Sequence, residues 1–186
     1  MKTLILNGSP KENGDTDALI TKLTKHLNGE IKTVSCSNDI NPCSDCRHCW
    51  DNQGCSINDE MQEIYRYLET CDNIVLASPI WFSSLSGLLL NMASRVQTLW
   101  AGRYFRKENE QSKPKNGVII IVGAQKGTEV VPTQTALTIM RYMNVCREEV
   151  LKIYSLNTNE IPAAEDEIAL CECEKAANKL NSICDS

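Results

Sequence analysis

Four thiols crowd one short stretch, Cys43-Ser-Asp-Cys46-Arg-His-Cys49-Trp-Asp-Asn-Gln-Gly-Cys55, at spacings C-x2-C-x2-C-x5-C. A C-x2-C run brings sulfurs close enough to share one metal centre without a long intervening loop. Three thiolates from a tight loop plus a fourth slightly downstream suit a cubane [4Fe-4S] cluster. Zinc is the nearest rival, since it also accepts four thiolates, or three and the imidazole of His48. A small disulfide or a set of free thiols is the third reading, and spacing alone leaves the three open. Cys55 falls just before a predicted helix start, where a thiolate is electrostatically favoured.

A second chemistry is written into Gly8-Ser-Pro-Lys-Glu-Asn-Gly-Asp-Thr16. This polar loop follows a short apolar run, Thr3 to Leu6, and leads into a helix starting near Asp15 with Leu19, Leu23 and Leu27 on one face. Strand, polar loop, helix N-terminus is a phosphate-binding arrangement, because loop N–H groups and the positive helix end point at the anion. The alternative is a plain surface turn. The loop has neither G-x-x-x-x-G-K-[ST] nor G-x-G-x-x-G, so it is not a Walker loop and a dinucleotide site is disfavoured. Two further loops at strand ends complete the set. Ser78-Pro-Ile-Trp-Phe-Ser-Ser84 offers a rigid apolar wall for a flat ring, unless Trp81 and Phe82 merely close the core; Ala124 to Thr128 is the other.

These loops need a scaffold. Apolar runs at Thr3–Leu6, Ile31–Val34, Ile74–Ala77 and Gly117–Gly123 read as strands, and Val150–Tyr154 as an edge strand. Helices between them follow from Met61, Ile64, Tyr65 and Leu68, capped by Asn58 or Asp59, and from one long stripe, Leu85, Leu88, Leu89, Met92, Val96 and Leu99. Leu137, Met140 and Met143 mark another helix, and Ala169, Cys173, Ala176, Leu180 and Ile183 the last. Residues 101 to 116 read as a polar connection. The predicted fold is α/β: a three-layer sandwich of five parallel strands in order 2-1-3-4-5 with helices on both faces. That order gathers the three loops around one crevice, fit for a mononucleotide with one phosphate and a flat ring. A single domain spanning 1-186 is expected, with the cysteine-rich loop at 36-58 as an insertion.

Composition narrows the partners. A formal charge of −5 argues against nucleic acid. The apolar start, Met1 to Asn7, is too short for a secretory core, and no apolar run reaches membrane-spanning length. A cytoplasmic location is expected, where ten cysteines favour metal or redox chemistry over structural disulfides. Cys173 reads as core, and Cys71, Cys146, Cys171 and Cys184 show no partner pattern.

Taken together, Asn7-Gly-Ser-Pro-Lys11, Gly14-Asp-Thr16, the four spaced cysteines, Asp59, Ser78-Pro-Ile-Trp81 and Gly87 resemble the flavodoxin-like NAD(P)H-dependent FMN reductases, and within them the iron-sulfur flavoproteins. The resemblance covers about residues 2 to 155. It implies that Ser9, Lys11, Asp15 and Thr16 line the FMN phosphate. It further implies that Pro79, Ile80, Trp81, Phe82 and Ser83 meet the isoalloxazine, with Gly123, Ala124, Gln125 and Gly127 on its other side. Cys43, Cys46, Cys49 and Cys55 would hold the [4Fe-4S] cluster. Two positions depart from the family pattern. Leu90 and Ser94-Arg95 stand where relatives often carry Lys and Asp-Arg, and Asp15 replaces an Asn, placing a carboxylate near the phosphate. The implied activity is electron transfer from NAD(P)H or a ferredoxin through FMN to a small acceptor such as a quinone or flavin, by a homodimer or homotetramer. A flavodoxin-type carrier, a plain reductase without a cluster, and a zinc-stapled interaction module are the competing readings.

Overall fold

The computed structural model describes residues 1–36, 39–108, 113–146 and 149–184. Residues 109–112 of the polar connection and the side chain of Cys184 lie outside that description. Strands β1 (Lys2–Asn7), β2 (Glu30–Ser35), β3 (Asn73–Trp81), β5 (Asn116–Val122) and β6 (Leu151–Ser155) form a parallel sheet in the order β2-β1-β3-β5-β6. This is the predicted order, and β1, β3 and β5 are its buried centre. Their apolar runs have no polar alternation because helices cover both faces. Leu4, Leu6, Ile74, Leu76, Ile119 and Ile121 pack to one side. Ile5, Val75, Ala77, Val118, Ile120 and Val122 pack to the other.

On the second side lie α1 (Asp15–His26) and α7 (Glu167–Cys184). Small residues of α7, Ala169, Cys173, Ala176 and Ala177, let the two helices approach closely. Ile183 was expected on that face but is 40% exposed, because the last turn runs past the end of the core. On the first side lie α3 (Met61–Thr70), α4 (Gly87–Ser94), α5 (Gln97–Tyr104) and α6 (Val130–Tyr142), with the one-turn α2 (His48–Asp51) in the cysteine loop.

Two expectations are corrected. A sixth strand, β4 (Ser84–Leu85), pairs antiparallel with the end of β3, through Ile80 with Leu85 and Trp81 with Ser84. The loop expected at 78 to 84 is therefore largely a hairpin, turned at Phe82 (φ 48°) and Ser83 (φ 55°). Two successive positive φ values give the turn whose twist matches paired strands. The single long helix expected after it is two helices. Leu85 belongs to β4, so α4 starts later, at Gly87, where the Ser86 hydroxyl accepts from Leu89 N–H at 3.2 Å. It ends at Ser94, where the backbone bonds shorten to Arg95 N–H on Met92 C=O and Val96 N–H on Ala93 C=O.

Candidate functional site

The C-terminal ends of β1, β3 and β5 meet at the point where the sheet order reverses, the usual ligand crevice of an open α/β sheet. The loop after β1 folds on itself. Asn7 Oδ1 accepts from Ser9 N–H at 2.9 Å, and Ser9 Oγ accepts from Lys11 N–H at 3.2 Å and donates to Lys11 C=O at 3.1 Å. Asp17 ties the far side, accepting from Asn13 N–H and from the Asn7 amide, each at 2.6 Å. Asp15, whose charge looked unfavourable, turns away: its Oδ1 accepts from Ala163 N–H at 2.8 Å. Thr16 is buried in the first turn of α1, and the helix N-cap, Gly14, contributes no side-chain cap. The Asp15 carboxylate is thus engaged outside the loop, while Asp17 braces the loop itself and leaves the first N–H groups of α1 without a side-chain cap.

The three loops interlock. Gly8 N–H donates to Ala77 C=O at 2.8 Å, and Ser86 Oγ donates to Gly8 C=O at 2.6 Å. A Cβ at Gly8 would stand 2.7 Å from Leu89 Cβ, so only glycine fits this junction. Ile80 covers Gly123, where an added Cβ would lie 2.9 Å from Ile80 Cδ1. Ser78 Oγ accepts from Ser86 N–H at 2.9 Å and fixes the hairpin base. Pro79 and Ile80 are half-buried, Ser83 is exposed, Trp81 is 45% exposed and Phe82 wholly so. An aromatic residue held at positive φ and fully exposed is a strained position. Ala124, Gln125 and Gly127 are exposed beyond β5, where Thr128 Oγ1 donates to Gln125 C=O at 2.6 Å. The donor set and the closed glycine junctions fit a phosphate-bearing flat ring. Asp17 and Ser86, which shape this crevice, were not singled out from the sequence.

All four loop cysteines line one cavity of about 20 Å³. Cys43 N–H donates to Ser94 Oγ at 2.8 Å, Cys46 Sγ meets Ser56 Oγ at 3.4 Å, and Gln62 donates to the carbonyls of Cys55 and Ile57. Hydrogen bonds from Ser56, then from the His48 backbone, hold the Cys46 thiol below its ordinary range. Cys49 is pushed up, first by partial burial and then by the nearby charges of Cys43 and Cys55. By contrast, burial drives Cys36 up to about 12, and burial first, with Lys22 opposing it and Glu172 adding to it, does the same for Cys173, so they stay thiols. Cys173 donates to Leu19 C=O at 3.5 Å, the core role expected of it. Among the described residues no three His, Cys, Asp or Glu side chains are gathered tightly enough to hold one metal ion as they stand.

Arg95 supports this loop from beneath. Its guanidinium donates to Asp59 Oδ2 at 2.7 Å and Oδ1 at 3.1 Å, to Asn41 C=O at 2.8 Å and to Ile57 C=O at 3.1 Å. One buried cation therefore holds the chain on both sides of the four thiols. Asp59 also accepts from Met61 N–H at 3.1 Å, but the N-cap of α3 is Glu60, one residue past the predicted Asn58 or Asp59, and carries no side-chain cap bond. Burial alone would raise the Asp59 carboxyl, but the bonds and charge of Arg95 hold it below its ordinary value. Trp50 of the loop stacks on Phe105 at 4.3 Å, and Arg106 donates to Cys49 C=O. A cation on the apolar stripe Met92, Val96, Leu99 is the sequence signal by which Arg95 was discoverable.

Residues 1–151 match the model of the family described as NADPH-dependent FMN reductase. An iron-sulfur flavoprotein of Methanocaldococcus jannaschii is 30% identical over 130 residues, which is 68% of this chain and 64% of that protein. Another from Methanosarcina thermophila is 29% identical over 130 residues, 68% of this chain and 65% of the relative. The match thus spans just under two thirds of these relatives. A solved NAD(P)H:quinone oxidoreductase from Methanothermobacter marburgensis superposes with TM-score 0.75 over 97% of this chain and 96% of its own, at 14% identity, and so shares the fold.

Proposed function

Because the chain belongs to the NADPH-dependent FMN reductase family, we propose that it is an FMN-dependent oxidoreductase taking electrons from NAD(P)H or a ferredoxin to a small acceptor such as a quinone or flavin. The observation that carries this reading is the crevice itself: an uncapped α1 N-terminus facing, across Gly8, an exposed aromatic hairpin. FMN, when bound, supplies the redox chemistry, accepting electrons as a hydride pair and releasing them singly. The chain's part is to bind and orient. The first turn of α1, with Ser9, Lys11 and Thr16, holds the phosphate, and the Asp15 carboxylate stays on Ala163. Pro79 to Ser83 wall one side of the ring and exclude water there, with Gly123 to Gly127 opposite. No side chain is required as general acid or base.

Cys43, Cys46, Cys49 and Cys55 are proposed to hold a [4Fe-4S] cluster, which exchanges single electrons. The fit rests on four thiols sharing one cavity, beside Arg95 and Arg106, whose charges offset those of the thiolates. At about 20 Å³ the cavity has room for roughly one water, so holding a cluster requires the exposed stretch 41–48 to move outward. We further propose a homodimer or homotetramer with no nucleic-acid or membrane partner. No helix among the described residues is long and apolar enough to cross a membrane.

The test is anaerobic purification with an absorbance spectrum, chromatography of the released flavin, iron, zinc and sulfide counted per chain, and oxidation of NADH and NADPH. FMN, iron and sulfide with steady-state turnover are expected. FAD as the dominant flavin overturns the phosphate site. FMN without iron or sulfide leaves a plain reductase, and colourless protein with one zinc per chain leaves an interaction module. A bound flavin that no donor turns over leaves a carrier.

A further inference from the structure

Asp17 holds both ends of the loop between β1 and α1. One oxygen accepts from the Asn7 amide at the end of β1, and the other from Asn13 N–H just before α1, each at 2.6 Å. A carboxylate three residues past a helix N-cap ordinarily reaches back to the cap's own N–H. The cap here is Gly14, and Asp17 overshoots it by one residue. Asn13 is thereby kept at φ 55°, a left-handed value that asparagine tolerates better than most residues. Asn7, 6% exposed, passes the restraint on, since its Oδ1 accepts from Ser9 N–H at 2.9 Å. Lys11 is drawn in as well: its Cδ lies 3.3 Å from where a Cβ on Gly14 would stand. The first bond of the helix ladder is Ala18 N–H on Gly14 C=O, so the N–H groups of Asp15, Thr16 and Asp17 precede it, and Gly14 offers them no side chain.

We propose that Asp17 is a positioning residue for phosphate selection. Its carboxylate fixes the loop in the form that receives an anion, so that a negative charge strengthens the hold on FMN over riboflavin, which lacks the phosphate. The proposal rests on the FMN reading above and concerns its phosphate site alone. A loose loop at residues 8–13 would have to be ordered as the ligand arrives, and that cost is subtracted from affinity. With both ends tied by Asp17, the ordering is complete beforehand. Direct repulsion between the carboxylate and the phosphate works in the opposite sense. The sign of the effect therefore tells bracing from repulsion.

Asp17→Asn carries the decision, because it fills the same space but sets an amide NH2 where one acceptor stood. Full-length wild type, Asp17→Asn, Asp17→Ala and Asp15→Asn are stripped of flavin, checked for fold by circular dichroism, and titrated with FMN and with riboflavin by quenching of flavin fluorescence. Asp17→Asn should weaken FMN about tenfold or more, the worth of one hydrogen bond to a charged group, and leave riboflavin unmoved. Asp17→Ala should show the same selective loss, larger because both bonds go. Asp15→Asn removes a charge from the same turn but keeps an oxygen for Ala163 N–H, so it should bind FMN at least as well as wild type. Unchanged or tighter FMN binding by Asp17→Asn makes repulsion the larger effect and overturns the proposal. Equal losses for FMN and riboflavin reduce Asp17 to general stability and overturn it too, as does a matching FMN-selective loss in Asp15→Asn. In all three cases a wild type that holds FMN well above riboflavin keeps the flavin reading standing. Wild type that binds the two alike, or neither, overturns the phosphate site, and this proposal with it.

Discussion

Asp59→Asn isolates the ion pair beneath the cysteine loop. The Arg95 side chain is 0% exposed and that of Asp59 8%, so water does little to screen them. The substitution keeps the shape but removes the charge, leaving a buried guanidinium against two carbonyls and a neutral amide. Breaking a buried pair from one side costs about 3–5 kcal/mol. At about 2–4 °C per kcal/mol for a chain of this size, the melting temperature should fall by about 6–20 °C. The assay is thermal unfolding followed by circular dichroism at neutral pH, with FMN saturating in both proteins. Removing both charges, Asp59→Asn with Arg95→Met, should recover most of the loss, because a well-packed apolar replacement is often neutral. The pH dependence has a defined sign. The folded carboxyl is held below its ordinary value of 3.8, so the stabilisation is complete above that value and disappears as pH falls through the lower folded one. The gap between wild type and Asp59→Asn should therefore stay constant from about pH 8 to pH 5 and close only in strong acid. A single-variant loss under about 1 kcal/mol, or a gap that closes between about pH 5 and 7, refutes the reasoning.

Three further outcomes are expected. Gly8→Ala places a methyl 2.7 Å from Leu89 Cβ and 2.8 Å from Ser86 Oγ, and should cost about 1–3 kcal/mol in urea unfolding; an unmoved midpoint means the crevice floor is looser than described. Thr16→Val should weaken FMN binding by about ten- to a hundredfold with the fold intact, the value of a bond to a charged phosphate, and an unchanged dissociation constant puts the phosphate elsewhere. Cys43→Ala, Cys46→Ala, Cys49→Ala and Cys55→Ala should each lose most iron and sulfide while Cys173→Ala loses none, and all five should retain FMN; metal loss confined to one of the four breaks the idea of a shared site.

The sheet was legible because β1, β3 and β5 are covered on both faces, which writes each as an uninterrupted apolar run. The crevice followed from strand order, and the core role of Cys173 from its helical spacing. The hairpin was not legible: Phe82-Ser83 carries no glycine, asparagine or aspartate to announce a turn with two positive φ values. Nor was the helix break at Arg95 and Val96, since the apolar period runs straight through it from Met92 to Leu99. Partnerships between distant residues were hidden for a different reason. Asp59 with Arg95, and Asp15 with Ala163, are set by how loops pack in space, on which local pattern is silent.

The carbonyls of Asn41 and Ile57 both lie on the one Arg95 guanidinium, at 2.8 and 3.1 Å. The two stems of the cysteine segment therefore leave the body of the molecule side by side, as the ends of a handle leave a lid. Whatever is strung between them is invisible to the sheet. Because doubling the length of such a closed segment adds only about 0.6 kcal/mol of closure entropy, residues 42 to 56 form an exchangeable cassette. A change of its length should cost little beyond the contacts that Cys43, Cys49 and Trp50 make with Ser94, Arg106 and Phe105.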